Sequence, residues 1–235
     1  MFLGGELMKD IMETAFNVLY LVIIWGIVLK MMVKIKGINS KEQTLANTIL
    51  WAFAFLAIGD TGHVGFRVVA FFKGGLAANS ALLGVGKLAT AITITIFYVL
   101  LIKVWKLRFN EKYNSFTWFL FAVAIIRIVI LFLPGNEWSS EIAPFNWTLY
   151  RNIPLMILGL SVAYLILNNA IKAKDKTFKW IGIMILISYG FYIPVILFVN
   201  AIPALGMLMI PKTIAYLAAA FIAYNGVFKG SSRIN

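Results

Sequence analysis

The chain has 235 residues, 62% of them apolar and 13% charged. A soluble domain carries about 45–50% and about 25%, so the solvent for this chain is expected to be lipid. Cys is absent and His occurs once, which excludes disulfides, thiolate metal sites, Cys nucleophiles and a multi-His metal centre within one chain; no cofactor is expected. The net charge of +12 is read as basic loops meeting anionic lipid rather than as a nucleic-acid footprint.

Apolar runs near twenty residues, bounded by charges and turn formers, predict seven transmembrane helices. The N-terminal stretch is acidic, with Glu6, Asp10 and Glu13 around Lys9. It lacks the basic start of a signal peptide, so the first run is expected to stay in the mature protein. The spans are expected at about 14–33, 44–72, 82–105, 115–133, 147–167, 180–199 and 204–228. The second is long and interrupted by Gly59, Gly62 and Gly65, read either as a broken helix or as close packing on a neighbour. Pro134-Gly135 stops the fourth, and Pro194 and Pro211 read as ordinary membrane-helix kinks. The expected fold is all-α, one seven-helix membrane domain over residues 1–235.

Orientation follows from the Lys and Arg residues. Fourteen lie after spans one, three and five and in the tail: Lys30, Lys34, Lys36, Lys41, Lys103, Lys106, Arg108, Lys112, Lys172, Lys174, Lys176, Lys179, Lys229 and Arg233. The other side has Lys9 and Lys73, with Glu137 and Glu141 after span four. The basic side is expected to be cytoplasmic, which places the N-terminus outside, the C-terminus in the cytoplasm and the protein in the cell membrane. Trp105, Trp118 and Trp180 are expected at the inner interface, and Trp138 and Trp147 at the outer one.

Seven ionisable residues remain inside the predicted spans: Arg67, Lys87, Arg127, Arg151, Lys212, Asp60 and His63. Each costs at least about 2.5–3.5 kcal/mol there. Counted from the outer ends, Arg151 lies roughly 5 Å deep, Arg67 and Lys87 roughly 7 Å, Arg127 roughly 10 Å, Lys212 and His63 roughly 12–14 Å, and Asp60 roughly 18 Å. All fall at the midplane or in the outer half. Asp60, His63 and Arg67 share one helix stripe at i, i+3, i+7. Lys87 and Thr90 share a face of span three, with Thr93 on its shoulder. Arg151 and Asn152 stand at the mouth of span five, and Lys212 and Tyr216 on span seven. The simplest arrangement gathers these groups around a water-filled funnel open to the outside. Against it, Arg67, Lys87 and Arg151 are shallow enough to snorkel, Asp60 is expected to pair with Lys87 or Lys212, and threonines in membrane helices usually bond their own backbone.

Lys212 on span seven resembles the retinal lysine of the rhodopsins. Span three, however, has no acidic residue to balance a Schiff base, and no residue is carried over from that family. Five bases against one acid favour a binding protein or transporter for a small anion or an anionic lipid headgroup. Arg67 and Arg151 would clamp, Lys87 and Lys212 would add charge, and Asp60 and His63 would take up a coupling proton. The alternatives are a lipid-modifying enzyme using Asp60 and His63, and an assembly protein whose charges are all structural. The sequence does not indicate an oligomeric state.

Overall fold

The computed structural model describes residues 2–140 and 143–229. Glu141 and Arg233, which entered the charge count, lie outside them. Every regular element among the described residues is helical. The seven α-helices are α1 (Phe2–Lys34), α2 (Ser40–Phe72), α3 (Ser80–Phe109), α4 (Ser115–Leu131), α5 (Phe145–Lys172), α6 (Lys176–Phe198) and α7 (Met209–Ala223). A 3-10 segment, Pro203–Leu208, leads into α7, and a π-helical turn, Tyr224–Lys229, ends it.

Among the described residues, six segments are long and apolar enough to cross a membrane: Thr14–Gly37, Ser40–Phe72, Ser80–Phe109, Phe145–Lys172, Lys176–Phe198 and Pro203–Lys229. By length and composition this is a multi-pass membrane protein. α4 has 17 residues. At about 1.5 Å per residue it is roughly 25 Å long, against a hydrocarbon core of about 30 Å. Phe132 caps it and Pro134 opens a 3-10 turn, so the helix stops short of the expected 133.

Polar side chains set the helix starts. Asn39 caps α2 by accepting from the Lys41 amide at 3.1 Å. Asn114 and Thr117 form a reciprocal capping box on α4, and Asp175 accepts from the Phe178 amide at 3.1 Å on α6. These contacts satisfy amides that a helix start leaves without partners. Asp175 also holds Arg108 in an ion pair at 2.7 Å, tying the α3–α4 end to the α5–α6 connection.

One open alternative is decided and two expectations are corrected. α2 runs unbroken through Gly59, Gly62 and Gly65, so its glycines do not interrupt it. A Cβ on Gly59 would collide with the Thr93 side chain, and one on Gly86 would stand 3.0 Å from the His63 Cα. The glycines let α2 and α3 approach backbone to backbone, and this pair forms the most extensive helix contact. Pro211 lies in the first turn of α7, where the missing amide costs nothing, so it is not a kink. Trp105 is 3% exposed and packs in the core, because its face of α3 turns inward; Trp118 and Trp180 are exposed.

Candidate functional site

One cavity of about 460 Å³ occupies the end of the bundle that holds the α2–α3, α4–α5 and α6–α7 connections. All seven helices contribute to its wall. The wall contains the ten residues singled out from the sequence: Asp60, His63 and Arg67 of α2; Lys87 and Thr90 of α3; Arg127 of α4; Arg151 and Asn152 of α5; Lys212 and Tyr216 of α7. Residues far apart in sequence meet because each antiparallel helix brings the same end to this level.

The α2 stripe forms one side. The Asp60 carboxylate accepts a hydrogen bond from the Tyr20 hydroxyl of α1 at 2.6 Å. The expected ion pair is not formed: among the described residues no base lies within 4.0 Å of Asp60. Lys212 is its electrostatic neighbour at longer range. His63 lies within electrostatic reach of Arg67, Lys87 and Lys212, and its buried Nδ1 has no hydrogen-bond partner among the described residues. That nitrogen is a polar atom left for water or a ligand.

Across the cavity, α3 contributes less than expected. The Thr90 hydroxyl is engaged with the Gly59 carbonyl at 2.8 Å and the Gly86 carbonyl at 3.1 Å. Thr93 bonds carbonyls of its own helix. Both work in the α2–α3 contact. Lys87 is exposed, and lies within electrostatic reach of Arg151 and Arg67, so three cations share the outer part of the cavity.

Arg127 has a different character. Its side chain is 2% exposed. Nε donates to the Arg151 carbonyl at 3.0 Å, and Nη1 donates to the Ala91 carbonyl and to the Thr95 hydroxyl. The guanidinium thus fastens α4 to α3 and α5, and Arg127 also borders the cavity.

Arg151 lies over the Trp138 ring, 4.7 Å from the centroid, and donates to Thr148 at 2.9 Å and to Asn136 at 3.4 Å. Asn152 accepts from Tyr192 at 2.9 Å and donates to the Thr148 carbonyl at 2.9 Å. Lys212 sits 4.4 Å from the Tyr192 ring centroid and 5.8 Å from that of Tyr216. The Tyr216 hydroxyl meets that of Tyr98 at 2.5 Å, and Tyr189 donates to the Leu155 carbonyl at 2.9 Å. Aromatic faces and hydroxyls therefore line the inner end, with the cations above them.

Sequence reasoning missed Phe16, Asn17 and Tyr20 on α1, Trp138, and Tyr189 and Tyr192 on α6, all on the wall. Trp138, expected at the membrane interface, has its indole anchored on the Leu131 carbonyl at 2.9 Å and forms part of the cavity. No charge flags these residues. The i, i+3 spacing of Tyr189 and Tyr192 is the one signal that marks a shared face.

No family model, curated protein or solved structure matches the chain.

Proposed function

We propose that the protein crosses the membrane seven times, with its N-terminus outside and its C-terminus in the cytoplasm, and that it binds or transports a small anion or anionic headgroup through this cavity. The orientation rests on the fourteen bases gathered on one side, and with it the cavity opens outward. α4 then spans with help from its flanking turn or a locally thinned bilayer. One observation carries the ligand class: among the described residues, five bases and a single carboxylate line one cavity of about 460 Å³, within the size range of small-molecule sites. An excess positive field in a confined, low-dielectric space favours anions. Binding is preferred over catalysis because Asp60 is held by Tyr20 and shares no hydrogen bond with His63 among the described residues, leaving no assembled acid–base pair.

The test is thermal stabilisation of purified protein by small carboxylates and phosphates against neutral analogues of the same shape. Anions should stabilise, and Lys87→Ala and Lys212→Ala should each weaken the response, while Lys36→Ala on the opposite side should not. Equal stabilisation by neutral analogues would leave the charges structural.

A further inference from the structure

Asp60 and Lys212 carry opposite charges on the cavity wall, yet among the described residues neither has a charged partner in contact. Asp60 accepts its hydrogen bond from the Tyr20 hydroxyl at 2.6 Å. Lys212 is within electrostatic reach of it and lies 4.4 Å from the Tyr192 ring centroid. The other titratable or charged groups near Asp60 are Tyr216 of α7, Lys87, which α3 brings to the same wall, and His63 and Arg67 of α2 itself. An anion entering beside Lys212 meets the Asp60 carboxylate as an opposing charge. Two negative charges confined in a poorly hydrated space favour neutralising one of them with a proton. The Tyr20 hydroxyl suits either state of Asp60, because a phenol donates to a carboxylate and can accept from a carboxylic acid. A lysine or arginine in contact would instead hold Asp60 ionised.

We infer that anion entry is coupled to the uptake of a proton, and that Asp60 carries it. The anion replaces the Asp60 carboxylate as the counter-charge of Lys212, and the displaced carboxylate takes a proton from water. With the site empty, the charges of Lys212 and Asp60 cancel. With a monovalent anion and a proton added, they cancel again. A bound ligand then adds no net charge to the bundle, which lowers the cost of holding it at membrane depth. The inference rests on the anion-pocket reading and adds the coupled proton. His63 is the rival carrier, since its buried Nδ1 has no hydrogen-bond partner among the described residues. A proton there would add a cation within electrostatic reach of Lys87 and Lys212. A proton on Asp60 removes the charge that opposes the anion.

Binding of acetate and of methanesulfonate to purified protein in detergent would be followed by thermal stabilisation and by calorimetry. The range runs from about pH 6 to about pH 9, above the ordinary carboxylate range, so both probes stay ionised. Calorimetry repeated in buffers of different ionisation enthalpy counts the protons taken up with each anion. An ionised Asp60 must gain a proton on binding, so affinity should fall as pH rises, by up to about tenfold per pH unit, with uptake of up to about one proton per anion. Asp60→Asn is neutral throughout and should bind at about pH 9 as tightly as the parent at about pH 6, with no uptake. His63→Gln should keep the parental profile. Tyr20→Phe serves if Asp60→Asn does not fold: it removes a donor that favours the carboxylate, and should carry the fall in affinity to higher pH. Uptake that persists in Asp60→Asn and vanishes in His63→Gln would move the proton to His63. A Tyr20→Phe profile identical to the parent's would likewise take it away from Asp60. Anion binding that is indifferent to pH and takes up no proton would overturn the coupling and leave the pocket reading standing. If neither anion binds at any pH, the pocket reading fails and the coupling falls with it.

Discussion

Removing the Arg127 guanidinium separates a structural cation from a ligand-binding one. Its side chain bridges α4 to the Ala91 carbonyl and Thr95 hydroxyl of α3 and to the Arg151 carbonyl of α5. Charge-assisted hydrogen bonds are worth about 1.5–3 kcal/mol each. Three such bonds set an upper bound that is not reached, because truncation also relieves the cost of burying the charge. Arg127→Ala additionally leaves a void at a site that is 2% exposed. A net loss of about 2–4 kcal/mol is expected, or a Tm lower by roughly 5–15 °C. Arg127→Met fills the space without burying a charge and should lose less than about 2 kcal/mol. Lys87→Ala is the contrast: Lys87 is exposed at the cavity mouth, so stability should stay within about 0.5 kcal/mol while the response to phosphate falls. The assay is thermal unfolding in detergent with and without ethyl phosphate. A parental Tm for Arg127→Ala together with a lost phosphate response would refute the bridging role and make Arg127 a ligand clamp.

Three further outcomes are expected. Single cysteines at Lys36, Arg108 and Lys176 should resist a membrane-impermeant thiol reagent in intact cells while one at Ser139 is labelled; the chain has no native Cys, so the readout is clean, and labelling at position 36 would reverse the orientation. Tyr20→Phe removes the donor to Asp60 and should cost about 1.5–3 kcal/mol in thermal stability; an unchanged Tm would mean that the contact contributes nothing. Gly59→Leu should abolish folded protein in detergent extracts, since even a Cβ there meets Thr93, whereas Gly65→Ala faces open space and should be neutral or stabilising by up to about 1 kcal/mol.

The cavity's charged residues are legible in the sequence because a base or acid within an apolar run is an anomaly that demands a partner, and helical spacing alone places Asp60, His63 and Arg67 on one stripe. The aromatic half of the wall is not. Tyr20, Tyr189 and Tyr192 are ordinary residues in membrane helices, and Trp138 carries the same mark as an interface anchor; only the packing of α1, α6 and the α4–α5 connection turns them to the cavity. Trp105 fails in the opposite sense, since nearby charges suggest an interface while its helix face is buried. Gly59 and its neighbours are ambiguous between a break and a close contact, and the Thr93 side chain lying against Gly59 decides for contact. The partner of Asp60 is misjudged for a physical reason: ion-pair reasoning looks for a base, and a phenol can satisfy a buried carboxylate without adding charge.

That choice of partner bears on the whole site. Had the charges served only to fasten helices, ion pairs or backbone bonds would be expected at each one. Arg127 meets that description, with carbonyls and a hydroxyl around it. Arg151 and Lys212 lie over the rings of Trp138 and Tyr192, and among the described residues the one carboxylate on the wall takes its hydrogen bond from a tyrosine. A ring face returns about 0.5–2 kcal/mol, less than the roughly 2.5–3.5 kcal/mol that a charge costs at membrane depth. At Arg151 the hydrogen bonds to Thr148 and Asn136 add to that return; at Lys212 the difference is left to water or an anion. A ring also orients a cation without neutralising it, so the positive field stays available to whatever enters. Carboxylates in the same places would have stabilised the bundle more directly and cancelled the field. Arg151 and Lys212 thus give up the stronger partner where they face the cavity, while Arg127 keeps backbone partners where it faces the core, which is the distribution that the proposed anion site would need.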